Sequence, residues 1–221
     1  MAKAKTLVVL GLGTFGAAFA ERGHRNGCRV TGVDSSEERV EELKQVLHEA
    51  VIADVTERDS LAQLPLAAAD AVVISLGERY EQSILCALHV KELGARRILA
   101  KGVTPAHGKI LKKLGVDEVI FPEQEAAWYW ADKETWTNVV DFLPIDPEYS
   151  LIALVGAASL PGETLMEANI RQRYGVHVIG VKDVMLSKMT LVPPADFRMT
   201  DEQLLLVIGT KEALEKFRSI K

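Results

Sequence analysis

Short apolar runs alternate with amphipathic segments from the N-terminus to Phe121. Runs of this kind, apolar throughout and separated by helices, are typical of parallel strands covered on both faces. The predicted strands are Leu7–Leu10, Val30–Val33, Ala50–Ala53, Ala71–Ser75, Arg97–Lys101 and Glu118–Phe121. The predicted helices are Phe15–Asn26, Ser36–Leu47, Glu57–Leu61, Glu81–Leu93 and Pro105–Leu114. The pattern predicts an α/β fold with a Rossmann-like, doubly wound parallel sheet.

The pattern changes after Glu123. The segment EQEAAWYWADKETWTNVVDF predicts a long helix that carries Trp128, Tyr129, Trp130 and Trp136. This much aromatic surface favours packing on another subunit or domain, the alternative being burial against the chain's own sheet. The two prolines of LPIDPEYS predict a linker.

The C-terminal residues, from Ser150 onward, predict a small α+β unit, which is marginal alone and often dimerises. Its predicted elements are a strand (Leu151–Val155), a helix (Glu163–Arg173), a strand (Val176–Val181), a hairpin-like region, a strand (Leu204–Ile208) and a helix after Gly209. We therefore predict two domains, residues 1–140 and residues 141–221.

A glycine turn follows the first predicted strand in the sequence GLGTFG. Gly11 would permit the tight turn, Gly13 would let the backbone approach phosphates, and Gly16 would let the next helix pack closely. Asp34, at the tip of the second strand, can accept both ribose hydroxyls and would repel a 2′-phosphate. The pattern predicts binding of a dinucleotide or an adenine nucleotide, with NADP disfavoured; the alternative is a turn kept only for packing.

Polar or small residues also follow the other predicted strands. In an open parallel sheet, ligands bind beyond the carboxyl ends of the strands, so we expect these residues to converge on one crevice. The alternative is that polar residues follow strands simply because loops are polar. The residues concerned are Asp54, Ser75 with Gly77, Lys101 and Glu123.

Composition narrows the choice of function. The net charge of −5, with acids and bases interleaved, argues against a nucleic-acid partner. Cys28 and Cys86 form no motif and indicate reduced thiols of a cytosolic protein. No apolar run is long enough to span a membrane, and the five histidines lack metal-ligand spacing.

The motifs of common enzyme classes give no catalytic site. Tyr129 and Lys133 have the YxxxK spacing but lie on the tryptophan-rich helix, and no P-loop or nucleophile motif occurs. The sequence describes a binding protein rather than an enzyme.

Several of these segments together resemble one known family. The motifs GLGTFG, IADVTE, VVISLGERYEQSI, ILAKG and VDEVIFPE, followed by SLPGETLMEANIRQRYGVHVIGVK, are similar to the RCK (KTN) cytosolic regulators of potassium channels and transporters, of the Ktr/Trk type. The likeness covers nearly the whole chain and implies an N-terminal RCK-N domain and a C-terminal RCK-C (TrkA-C) domain.

The resemblance implies roles for individual residues. Asp34 would hold the ribose, with Asp54 and Val55 beside the adenine, and Glu123 would help to bind Mg²⁺ or Ca²⁺ near the γ-phosphate of ATP at a dimer interface. Thr14 stands where the family usually has an arginine, and Phe121 where it often has a histidine. The cofactor-binding set is Gly11, Gly13, Thr14, Phe15, Gly16, Asp34, Ser35, Asp54, Val55, Ser75, Leu76, Gly77 and Lys101.

The favoured hypothesis is a regulatory subunit that gates a membrane-embedded potassium-translocating partner. It would form dimers and a homo-octameric ring at the inner face of the cell membrane, respond to ATP and ADP or to NAD and NADH, and take cyclic di-AMP at its C-terminal domain. The alternatives are an NAD(H)-binding redox protein or small NAD-dependent oxidoreductase, and a scaffold with an empty nucleotide fold.

Overall fold

The apolar runs of the N-terminal part form one six-stranded sheet in the computed structural model, which describes residues 4–77, 79–136, 138–155, 160 and 162–219. The strand order is β3-β2-β1-β4-β5-β6 and every pairing is parallel. The strands are β1 (Thr6–Leu10), β2 (Arg29–Asp34), β3 (Glu49–Ile52), β4 (Ala71–Ile74), β5 (Ile98–Lys101) and β6 (Glu118–Ile120). The helices between them are α1 (Thr14–Arg25), α2 (Glu37–Leu43), α3 (Arg58–Ala62), α4 (Tyr80–Glu92) and α5 (Pro105–Lys113). The predicted Rossmann-like sheet is confirmed.

Both faces of this sheet are buried, as the unbroken apolar runs require. Val8 and Leu10 belong to the core on one face, whereas Val9, between them, packs in the core on the other face. Because side chains alternate along a strand, a run that is apolar at every position can bury both sets. The carboxyl ends of the strands are thereby held at fixed spacing along one edge.

The C-terminal part forms a five-stranded antiparallel sheet with the order β10-β9-β11-β8-β7. Its strands are β7 (Val139–Pro144), β8 (Tyr149–Val155), β9 (His177–Asp183), β10 (Lys188–Leu191) and β11 (Gln203–Thr210). The other helices within the described ranges are α6 (Pro122–Thr135), α7 (Leu165–Ala168), α8 (Ile170–Tyr174) and α9 (Lys211–Arg218). Ile152, Leu205 and Val207 are fully buried in its core.

The chain divides into two compact units, Met1–Glu125 and Ala126–Lys221. The division comes earlier than the predicted boundary after residue 140. Val139 and Val140 fall in the second unit because β7 pairs with β8 in its sheet.

Three local predictions for the second unit are wrong. The tryptophan-rich helix was predicted to continue through VVDF but ends at Thr135. The VVDF residues instead begin strand β7 at Val139, where two β-branched valines favour a strand. The predicted linker is the turn between β7 and β8, in which Asp146 Oδ1 accepts hydrogen bonds from the backbone N–H groups of Glu148 (2.8 Å) and Tyr149 (2.6 Å). The predicted helix Glu163–Arg173 is two short helices, because Asn169 adopts a left-handed conformation with φ of 47°.

The aromatic side chains of α6 divide into two groups. Trp128 and Trp130 are 62% and 56% exposed, so they are available to a partner. Trp136, just after the helix, packs on Phe142 with ring centroids 5.0 Å apart, and Tyr129 stacks on the same ring at 5.2 Å. Among the helices that the structure describes, none combines the length and the apolar character that a membrane span requires.

Candidate functional site

A cavity of about 630 Å³ opens beyond the carboxyl ends of β1, β2, β3 and β4. Nine of the predicted site residues line it: Gly11, Gly13, Asp34, Ser35, Asp54, Val55, Ser75, Leu76 and Gly77. Six further residues of the described part of the chain also line it: Ser36, Glu38, Arg39, Thr56, Arg79 and Gln82. The cavity has the size of a small-molecule site and lies where open α/β sheets bind their ligands.

The three glycines of the turn have different structural roles. Gly11 has a φ of +94°, and a Cβ there would overlap the carbonyl oxygen of Ser75. A Cβ on Gly16 would overlap the carbonyl oxygen of Gly11. Gly13 has an ordinary φ of −67° and no heavy atom within 4 Å of the position that its Cβ would take. Packing therefore requires Gly11 and Gly16, whereas the open space at Gly13 leaves room for a ligand to approach the backbone.

Asp34 lies in the cavity wall with only 7% of its surface exposed, and hydrogen bonds fix its carboxylate there. Its Oδ2 accepts a hydrogen bond from the Leu12 N–H (2.7 Å), and its Oδ1 accepts one from the Ser36 N–H (2.9 Å). The guanidinium of Arg39 approaches Oδ2 to 3.4 Å. A carboxylate has about four acceptor positions, and these three donors occupy one on Oδ1 and two on Oδ2. Oδ1 therefore keeps one position for a ribose hydroxyl, and a second hydroxyl would have to replace the long Arg39 bond on Oδ2.

Asp54 is an exposed carboxylate whose Oδ1 accepts hydrogen bonds from the Thr56 hydroxyl (2.7 Å) and the Thr56 N–H (2.9 Å). These bonds, the hydroxyl's first, lower the pKa of Asp54, and the nearby charge of Arg79 lowers it further. Val55, beside it, is buried and presents an apolar wall. A carboxylate next to an apolar wall suits the amino edge and the face of an adenine.

The sequence reasoning missed six polar lining residues, among them Arg39, Arg79 and Gln82. Arg79 precedes the first residue of α4, and its Nη1 donates to Oε1 of Gln82 (3.3 Å). Each of the three lies within the first turn of a helix that follows a strand end, or just before it. A polar residue in the first turn of a helix after a strand could have been recognised in the sequence as a lining candidate, because such a turn faces the same edge of the sheet as the strand tips.

Thr14, Phe15 and Gly16 are not among the lining residues. They begin α1, where Phe15 packs against the core and lies 6.0 Å from Phe19 between ring centroids.

Lys101 and Glu123 line a second cavity of about 260 Å³ beyond β5 and β6, together with Phe121 and Gln124. The single crevice expected for all six strand ends stays a prediction, since the described residues at the tips of β5 and β6 line a cavity other than the one at β1–β4.

Lys101 and Glu123 form an ion pair in that second cavity. The hydrogen bond from Lys101 lowers the pKa of the Glu123 carboxyl, which favours its ionised form. In the ranges that the structure describes, no three His, Cys, Asp or Glu side chains gather closely enough to hold a metal ion. The divalent cation that the resemblance implies at Glu123 would lie at a dimer interface, so it stays a prediction.

The sheet order, the glycine turn and the carboxylate at the tip of β2 define the first unit as a Rossmann-type domain. Comparison with known families agrees: the TrkA-N domain matches residues 7–122 and the TrkA-C domain matches residues 152–221. The chain belongs to the TrkA-N/TrkA-C family of potassium uptake proteins, as the resemblance in its sequence indicated.

Relatives match over nearly the whole chain. Ktr system potassium uptake protein C of Bacillus subtilis (strain 168) is 34% identical, over 96% of this chain and 96% of that protein. Ktr system potassium uptake protein A of Vibrio alginolyticus is 30% identical, over 98% of each chain.

Solved structures share the fold. The GsuK RCK domain has a TM-score of 0.67 at 21% identity, covering 99% of this chain and 48% of that chain. The GsuK channel bound to NAD has a TM-score of 0.68 at 21% identity, covering 99% of this chain and 40% of that one. The chain thus spans less than half of these longer proteins.

Proposed function

We propose that this chain is the nucleotide-binding regulatory subunit of a potassium uptake system. The observation that carries the proposal is the cavity at the ends of β1–β4, in which Asp34 and the open backbone at Gly13 suit an adenine nucleotide. Full-length likeness to Ktr system proteins supports the potassium part, and GsuK structures with NAD and with ADP support the nucleotide part.

The adenosine half of the ligand would lie against the tips of β2 and β3. The Asp34 carboxylate would accept the two ribose hydroxyls, and Asp54 with Val55 would contact the adenine. The phosphates would approach the turn at Gly13 and the unpaired N–H groups at the start of α1, where the helix dipole favours an anion. The residues of this cavity therefore fit a nucleotide.

The role we propose is regulatory and not catalytic. None of the described residues that line the two cavities is His, Cys or Tyr. The Tyr129 hydroxyl donates to Asp141 Oδ1 (2.6 Å), and this bond raises the pKa of Tyr129, the opposite of what a catalytic phenolate needs. An NAD(H)-binding redox protein is the second candidate, which hydride transfer to a panel of alcohols and acids would support.

The assembly we propose is a ring of dimers, eight chains in all, at the inner face of the membrane beneath the potassium-translocating subunit. The exposed Trp128 and Trp130 support an interface on α6. Cyclic di-AMP binding to the C-terminal unit remains part of this proposal through family likeness alone.

Nucleotide would act by shifting the ring between two arrangements. A ligand shifts such an equilibrium only through its different affinity for the two states. Coupling of about 1–3 kcal/mol per site is typical, and identical sites around a ring multiply the response.

Titration calorimetry with ATP, ADP, NAD and NADH, combined with sizing chromatography, tests the proposal. We expect at least one nucleotide to bind, and to change potassium uptake by cells that carry this chain and its membrane partner. A chain that binds none of the four, or that stays monomeric at every concentration, would contradict it.

A further inference from the structure

A further cavity, of about 400 Å³, lies at the amino ends of β1, β2 and β3, on the edge of the sheet opposite the cavity at the ends of β1–β4. Its polar lining residues include Arg29, Thr31, His48 and Glu49. An apolar wall that includes Pro65, Ala68 and Ala69 completes the part described here. A cavity of this size with a few converging polar groups is typical of a small-molecule site, and the proposed function does not use it.

Arg29 and Glu49 bring opposite charges to this cavity. They are the first residues of β2 and β3, and Glu49 pairs with Thr31 in the parallel register, so Arg29 lies two residues before that partner. Residues two apart on a strand share a face, so all three side chains lie on one side of the sheet. At ~4.8 Å between strands and ~3.3 Å per residue, the Cα atoms of Arg29 and Glu49 are about 8 Å apart, close enough for an ion pair.

These two charges form no ion pair with any residue that the structure describes. Instead, Arg29 Nη2 donates to His48 Nε2 (2.5 Å), and Glu49 Oε2 accepts from the Thr31 hydroxyl (3.1 Å). Because an arginine can only donate, His48 accepts at Nε2 and is neutral, with its proton on Nδ1. A positive and a negative group therefore line one cavity without touching each other.

The last two strands of the same sheet carry a matching pair of charges that does make contact. Arg97 lies two residues before the register partner of Glu118, the same offset as in the first pair. There the guanidinium reaches Glu118 Oε2 at 2.9 Å. The separation of the charges at β2 and β3 therefore follows from the side chains of Thr31 and His48, and not from the geometry of the sheet.

We propose that this cavity binds an α-amino acid with a small apolar side chain, held between Arg29 and Glu49. The α-carboxylate would accept from the Arg29 guanidinium and the α-ammonium would donate to Glu49, since hydrogen bonds between charged groups are the strong ones. A lone anion would be repelled by Glu49 and a lone cation by Arg29, whereas a zwitterion satisfies both. The wall at Pro65, Ala68 and Ala69 presents apolar surface to the side chain of the ligand.

Titration calorimetry of the full-length chain with L-valine provides the test. We expect L-valine to bind with a Kd of about 1 mM or lower. Isovalerate lacks the ammonium group and isobutylamine lacks the carboxylate, so each should bind at least about tenfold more weakly. L-valine should also raise the urea concentration at the midpoint of unfolding, because a ligand of the folded state stabilises it.

Two substitutions locate the site. Arg29→Gln and Glu49→Gln each remove one charge and should each weaken L-valine at least about tenfold. The new amide oxygen at position 49 can still accept from the Thr31 hydroxyl, so the contact between the two strands is kept. Arg97→Gln and Glu118→Gln are the matched controls, because they make the same changes at the same offset outside the cavity and should leave the affinity near wild type.

The possible results are clearly separated. Absence of L-valine binding, or binding of isovalerate or isobutylamine as tightly as L-valine, would overturn the inference. Wild-type affinity in a folded Arg29→Gln protein, or an equal loss in the Arg97→Gln control, would do the same. Each of these results would leave the proposed function in place, because the cavity at the ends of β1–β4 is lined by other residues.

Discussion

Replacing Asp34 by Asn tests the centre of the site with little change of shape. The wild-type carboxylate accepts a backbone hydrogen bond on each oxygen, from Leu12 N–H and Ser36 N–H, and Oδ2 also accepts a longer one (3.4 Å) from the Arg39 guanidinium. The amide of Asn keeps one acceptor oxygen, so one of the two backbone donors must lose its partner. Ala would remove both acceptors, which makes Asn the cleaner change.

The structure sets the size of two separate effects. A hydrogen bond to a charged group contributes about 1.5–3 kcal/mol and one to a neutral group about 0.5–1.5 kcal/mol, so losing the charge should weaken adenine nucleotides by roughly 1–3 kcal/mol, or about 5- to 150-fold. A buried N–H left without an acceptor costs about 1–3 kcal/mol of folding free energy. Asp34→Asn should therefore lower both affinity and stability.

Titration calorimetry with ADP and NADH measures the first effect, and urea unfolding without ligand measures the second. Asp201→Asn, which removes an exposed carboxylate of the second unit, is the control and should change neither. Wild-type affinity in a folded Asp34→Asn protein would refute the placement of the ribose at Asp34.

Three further perturbations address other parts of the chain. Gly13→Ala should keep wild-type stability and weaken nucleotide binding, because only a ligand occupies the space its methyl takes, whereas Gly16→Ala should unfold at lower urea concentration. Burial lowers the pKa of His107 in the folded protein below its usual 6.5. The neutral imidazole therefore contributes its full stability above pH 6.5, and this contribution is lost as the pH falls through the folded pKa. His107→Phe should flatten the dependence of the unfolding free energy on pH below 6.5. Burial raises the pKa of the Cys86 thiol to about 12, so iodoacetamide should label native protein at the partly exposed Cys28 and reach Cys86 only after unfolding, as mass spectrometry would show.

The first sheet could be predicted because its signal is local. Each strand is an unbroken apolar run, and burial on both faces requires that run wherever the strand lies in the sheet. Asp34, Ser75 and Gly77 follow as lining residues because they stand at or just past the ends of those runs. That Lys101 and Glu123 line a different cavity follows from the strand order, which places β5 and β6 one and two strands beyond β4. The local sequence pattern gives each strand but not the order of the strands in the sheet.

The second unit was harder to predict because helix and strand signals compete within it. Residues Pro122–Thr135 favour helix so strongly that the β-branched pair at Val139 and Val140 reads as its continuation. Asn169 interrupts a segment of helical spacing by adopting a positive φ that its short amide side chain tolerates. Tertiary packing decides both cases.

The contacts of Asp34 also bear on how tightly this site can hold its ligand. In the structure its charge is already stabilised by two backbone N–H groups and by Arg39. A ribose therefore adds bonds to a carboxylate that is satisfied in part, and gains less than it would from an unpaired one. We expect this arrangement to stabilise the Asp34 carboxylate when no nucleotide is present and to moderate the affinity for the proposed ligand. Both properties suit a sensor, because a subunit that reports changes in nucleotide concentration must release its ligand as readily as it binds it.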